Sequence, residues 1–103
     1  MLHIKLSKGK TKRALMARAK WYYDRAEAAT AAYHAEIETW RKLGTHDPRR
    51  AFSEGPPAYI HNGMSYTAKA MGLVAQADAC AHSTGDVYVS VETWNEIEGY
   101  YDA

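Results

Sequence analysis

The sequence predicts an α+β fold, mainly α, in the order β-α-α-β-α. A long antiparallel helical hairpin carries a two-stranded sheet made from the chain ends and a short C-terminal helix. Three observations predict it. A stripe of apolar residues recurs at spacings of four and three from Leu15 to Trp40, the period of one helix face. A second stripe of the same period runs from Tyr66 to Cys80, beyond a segment dense in Pro and Gly. Two short alternating apolar segments, Leu2–Leu6 and Val87–Val91, lie near the two ends, the period of half-buried strands.

Taken in order, Leu2-His3-Ile4-Lys5-Leu6 places Leu2, Ile4 and Leu6 on one strand face. Ser7 to Lys12 is a polar joint containing Gly9. From Thr11 to Leu43 the residues are strong helix formers, with Leu15, Ala19, Tyr22, Ala26, Ala29, Tyr33, Ile37 and Trp40 along one seam. Arg41 and Lys42 suit the negative end of that helix, and Gly44 is a natural residue just past it. Residues 45–63 carry Pro48, Gly55, Pro56, Pro57 and Asn62-Gly63 and read as a loop, pinned by Phe52, Tyr59 and Ile60. Loops of that length are uncommon in compact domains and often functional. The second helix runs from Ser65 to His82, with Tyr66, Ala70, Leu73, Ala77 and Cys80 as its seam and Gly85 as a stop signal. The β-branched run Val87–Val91 follows. Thr93-Trp94-Asn95-Glu96 has the spacing of a capping box, which predicts a final helix with Trp94, Ile97 and Tyr101 on one face.

Length and composition bound the rest. One hundred and three residues make a single domain, 1–103. Hydrophobic residues form 47% of the chain, yet 18 are Ala and 8 are Tyr, so the core is built from small side chains. One Cys excludes a disulfide framework and any multi-Cys zinc site. No run approaches the roughly 18 apolar residues of a membrane span, and the basic start lacks the apolar stretch of a signal peptide. The expectation is a soluble cytoplasmic protein with no membrane partner. The net charge is only +1, but residues 1–25 are strongly basic and the remainder acidic. Such asymmetry points to a polyanion partner or to head-to-tail association. A first helix about 50 Å long at roughly 1.5 Å per residue outruns a compact domain of this size, whose radius of gyration is about 13 Å. A homo-oligomer is therefore expected.

Catalytic and metal motifs are fragmentary. Gly9-Lys10-Thr11 lacks the preceding Gly of a P-loop, with Ile4 in its place. His34-Ala35-Glu36 has the spacing of zinc deaminases without their Cys pair. Asp78 with His82, and His34 with Glu38, are helical neighbours that do not complete a zinc shell. Cys80 on the seam reads as a buried thiol. No residue set argues for an enzyme, a metal or a cofactor.

One feature breaks a folding rule. Lys8, Lys10, Lys12 and Arg13 crowd the start of the first helix, where free N–H groups already carry partial positive charge. An anion placed there would meet amides and ammonium groups together. Arg49 and Arg50 in the loop add planar forks suited to phosphate, and Tyr22, Tyr59, Trp21 and Tyr23 offer rings for base stacking. The first reading is therefore a non-catalytic protein that holds a phosphate-bearing ligand, nucleotide or nucleic acid, through Lys8, Lys10, Lys12, Arg13, Arg49, Arg50, Tyr22 and Tyr59. The alternative is a protein-binding inhibitor or adaptor of the kind mobile elements such as phages encode to block host defence proteins. Exposed aromatics and the acidic C-terminal half would then form the contact surface.

Overall fold

Ser7 marks where strand gives way to helix. Its backbone is extended, at φ −64° and ψ 129°, and its carbonyl accepts the N–H of Thr11 at 2.9 Å to close the first helical turn. The computed structural model describes residues 2–43 and 60–103. Its elements are β1 (His3–Leu6), α1 (Lys8–Lys42), α2 (Ile60–Ala81), β2 (Val87–Ser90) and α3 (Val91–Tyr101). The order is β-α-α-β-α, as the periodicities predict. The strands pair antiparallel, from His3 opposite Ser90 to Leu6 opposite Val87.

The two long helices end one residue earlier than expected, at Lys42 and Ala81, and four other boundaries differ from the sequence reading for a local reason. α1 starts at Lys8 rather than Thr11 because Ser7, not a residue after Gly9, is the capping position. Leu2 lies outside β1 and is 79% exposed, so only Ile4 and Leu6 face inward. Val91 opens α3 instead of ending β2: the Ser90 hydroxyl accepts the N–H of Thr93 at 3.2 Å, which makes Ser90 the N-cap. The capping box expected at Thr93 therefore does not form, and Glu96 is left free for another role. α2 begins at Ile60 rather than Ser65. Gly63 is buried inside it, where an added Cβ would lie 3.2 Å from the Thr30 hydroxyl and 3.5 Å from the Ala26 carbonyl. That glycine marks a close helix crossing, not a turn. Gly44, Pro48, Phe52 and the remaining loop positions up to Tyr59 lie outside the described residues.

The core follows the two seams. Leu15, Ala19 and Tyr22 of α1 pack with Ala70, Leu73, Ala77 and Cys80 of α2. Leu6, Val87 and Val89 from the inner sheet face and Ile97 from α3 complete it. Leu15 and Ile97 are fully buried; truncating such a side chain to Ala costs about 2–5 kcal/mol. Beyond Ala26 the α1 seam is only half covered, at Ala29, Tyr33 and Ile37. The molecule measures 65 × 24 × 21 Å with a radius of gyration of 19.6 Å, well above the roughly 13 Å of a compact domain of this length. The sheet and α3 gather at the end of the hairpin where α1 begins and α2 finishes, and the candidate site forms there.

Candidate functional site

The antiparallel hairpin sets the start of α1 beside the final turn of α2, and α3 brings its own last turn to the same place. The basic residues meet those ends. Lys8 Nζ donates to the Ser83 carbonyl at 2.6 Å, just past α2. Lys10 Nζ binds Asp102 Oδ1 at 3.0 Å, at the end of α3, and lies 5.4 Å from the centre of the Tyr101 ring. Its hydrogen bond to Asp102 raises the Lys10 pKa. The Ser7 N–H donates to the Tyr101 hydroxyl at 2.9 Å. Cations that are unfavourable at their own helix start are favourable against the carbonyl ends of two neighbouring helices. Lys5 adds an ion pair with Asp86 at 3.6 Å. Lys5, Lys10 and Arg18 of the basic segment thus pair with acids of the C-terminal part within one molecule. Lys12 and Arg13 remain exposed and form no ion pair with a described residue. Arg49, Arg50 and Tyr59 of the eight expected ligand residues lie outside the described residues.

The best-organised polar group is one the sequence reading missed. Arg18 and Tyr22, one turn apart on α1, both donate to Glu96 Oε2 of α3, at 2.9 and 2.7 Å. The Arg18 guanidinium lies 4.2 Å from the Trp21 ring centre and 4.8 Å from that of Tyr22, within range of cation–π attraction. Arg25 approaches Trp21 at 4.6 Å. Burial pushes the Glu96 carboxyl up, but the hydrogen bonds from Tyr22 and Arg18 outweigh it and hold its pKa below the ordinary value. Burial and the bond to Glu96 raise the Tyr22 pKa. Tyr22 is 4% exposed, with Trp21 edge-on at 5.1 Å and Lys69 at 5.5 Å. Its ring face is covered, which leaves no room for a stacked base. The helical spacing of Arg18 and Tyr22 was available in the sequence; no local signal tied them to Glu96, 78 and 74 residues away.

Three cavities lined by described residues stand out on the surface. One, about 380 Å³, lies between α2 and β2 and is lined by Leu15, Gln76, Ala79, Cys80, Ser83, Asp86 and Val87–Val89. A second, about 150 Å³, is bounded by Tyr22, Lys69, Leu73, Gln76 and Glu96. A third, about 300 Å³, is lined by Thr30, Gly63, Met64, Thr67, Ala68 and Met71. Met64 and Met71 beside it are 63% and 59% exposed. Among the described residues no group of three His, Cys, Asp or Glu side chains is placed to hold a metal ion, and no helix is long and apolar enough to cross a membrane. Cys80 is buried, and that burial raises its thiol pKa against the opposing pull of Lys8 and Lys12, the setting of an unreactive thiol. No protein-family model, curated protein or solved structure matches the chain.

Proposed function

We propose that the protein is a small non-catalytic protein-binding module, an inhibitor or adaptor that acts by covering a surface of another protein. The observation supporting this reading is the internal pairing of the basic segment. Lys5, Lys8, Lys10 and Arg18 are engaged by Asp86, the Ser83 carbonyl, Asp102 and Glu96 of the same chain. A phosphate ligand would have to displace those partners, and the cations best placed for it reduce to Lys12 and Arg13 among the described residues. The exposed surface is otherwise distinguished by apolar and aromatic side chains, Met64, Met71, Tyr23 and Tyr88, the residue types that adapt to protein partners.

Two measurements test the reading together. Titration calorimetry with a nucleotide panel and gel shifts with DNA and RNA, at about 50 mM salt, are expected to give no saturable binding. Photo-crosslinking in an extract of the source cells is expected to yield one dominant protein adduct. Saturable nucleotide or nucleic-acid binding that is lost in Lys12→Glu/Arg13→Glu would overturn the reading and establish the phosphate-binding alternative.

A further inference from the structure

Among the described residues the sheet has two strands, so β2 is paired with β1 along one edge. Every second residue of β2 turns its N–H and C=O toward the other edge. The 380 Å³ cavity runs along β2: three consecutive strand residues, Val87, Tyr88 and Val89, line it, and α2 forms its far wall through Gln76, Ala79 and Cys80. Such an edge is normally blunted by Lys or Pro; β2 reads Val-Tyr-Val-Ser and carries neither.

We propose that this groove receives an extended peptide segment of a partner protein, which adds to β2 as a third strand. One aliphatic side chain of that segment enters the cavity, and a Lys or Arg beside it meets Asp86. This deepens the protein-binding reading and rests on it. The occupant's conformation follows from the backbone: an extended chain can satisfy an open strand edge, whereas a helix has already bonded its own amides to itself. The aliphatic side chain follows from the floor, made by Leu15, Cys80, Val87 and Val89, all buried in the core. The cation follows from charge. Asp86 is the charged residue of the lining, and residues 60–103 carry Lys69 against Asp78, Asp86, Glu92, Glu96, Glu98 and Asp102. The present partner of Asp86 is Lys5 at 3.6 Å, with both side chains more than half exposed, so exchange for a peptide cation costs little. A strand of four residues offers few backbone bonds, which sets the expected affinity in the micromolar range.

The test uses the intact protein on an array of random octapeptides, followed by fluorescence anisotropy with the best sequence. Enriched peptides are expected to pair an aliphatic residue with a neighbouring Lys or Arg. Ala79→Trp fills the groove from an exposed helix position and should abolish binding; Asp86→Lys should weaken it about tenfold. Circular dichroism on both variants confirms that they are folded. N-methylation of alternate peptide amides on one edge should abolish binding, and β2 amides should gain hydrogen-exchange protection with the unmodified peptide. No enrichment, binding unchanged by Ala79→Trp, or binding that survives N-methylation of the alternate amides on each peptide edge in turn, overturns the proposal. So does a dimer, seen by light scattering, that Ala79→Trp dissociates, because the occupant is then a second copy of this chain. If the crosslinked partner is still captured by Ala79→Trp, the groove assignment falls and the protein-binding reading stands.

Discussion

Replacing Glu96 tests the contact that holds α3 to α1. Its Oε2 atom accepts from both Arg18 and Tyr22, and hydrogen bonds to a charged group contribute about 1.5–3 kcal/mol each. The side chains of Arg18 and Glu96 are 22% and 35% exposed, so solvent screening lowers the gain toward the bottom of that range. Glu96→Gln keeps an acceptor and the shape but removes the charge, and is expected to cost about 1–2 kcal/mol. Glu96→Ala leaves a stacked guanidinium and a buried Tyr22 hydroxyl without their acceptor, and is expected to cost about 2–4 kcal/mol. For a domain of this length 1 kcal/mol is about 4–8 °C in Tm. Urea unfolding followed by circular dichroism, with Arg18→Ala and the double variant, isolates the coupling. The pH dependence has a definite sign. The Glu96 pKa is lowered by folding, so its contribution is complete above the unfolded value of about 4.3 and is lost as pH falls through the folded value. The gap between wild type and Glu96→Gln should therefore close in acid. A cost below about 0.3 kcal/mol for Glu96→Gln at pH 7, or a gap independent of pH, would refute this account of how α3 is held.

Three further outcomes are expected. Leu6→Ala should lower stability by about 2–4 kcal/mol, whereas Leu2→Ser, at a position 79% exposed, should leave Tm unchanged; equal effects in thermal melts would contradict the strand limits. Lys10→Glu sets a carboxylate beside Asp102 and should lower Tm, while Lys12→Glu, an acid in the first turns of α1, should hold or raise it; the reverse order would remove the intramolecular account of the basic segment. Thr11 is fully buried and its hydroxyl oxygen has no hydrogen-bond partner among the described residues, so the isosteric Thr11→Val should stabilise by about 1 kcal/mol, and a loss of stability in urea would show that the hydroxyl is satisfied in solution.

The helices were legible in the sequence because burial repeats with the helical period: Leu15, Ala19 and Tyr22 meet Ala70, Leu73 and Ala77 as their spacing requires. The pairing of the two strands was legible from their alternation and their positions at the chain ends. What failed was punctuation. Ser90 and Thr93 are both competent caps, and which one acts depends on where β2 releases the chain. Asn62-Gly63 has turn chemistry, yet Gly63 is needed where α2 crosses Thr30, a contact with no local signature. The basic start of α1 was visible as a conflict with its helix dipole. Its resolution was not, because the Ser83 carbonyl and the Asp102 carboxylate that engage it come from more than 70 residues downstream. For the same reason Glu96 reads locally as half of a capping box and acts as the acceptor for α1.

The pairing of β1 with β2 has a consequence for the order in which this molecule acquires its structure. The paired residues are more than about eighty positions apart, and closing so long a loop carries an entropic cost that only finished contacts offset. The α1–α2 hairpin needs no such closure and can zip from its connection. On a growing chain it can therefore collapse while β1 is still a loose strand and the amines of Lys8 and Lys10 still face water. Only when Ser83 to Asp102 emerge do the strand, the amines and Arg18 find their partners, all within one short stretch of synthesis. A chain halted before Val87 would hold its helices together yet leave Leu6, Leu15 and Cys80 uncovered at one end. That is an adhesive intermediate, whose lifetime is set by how quickly the last residues arrive.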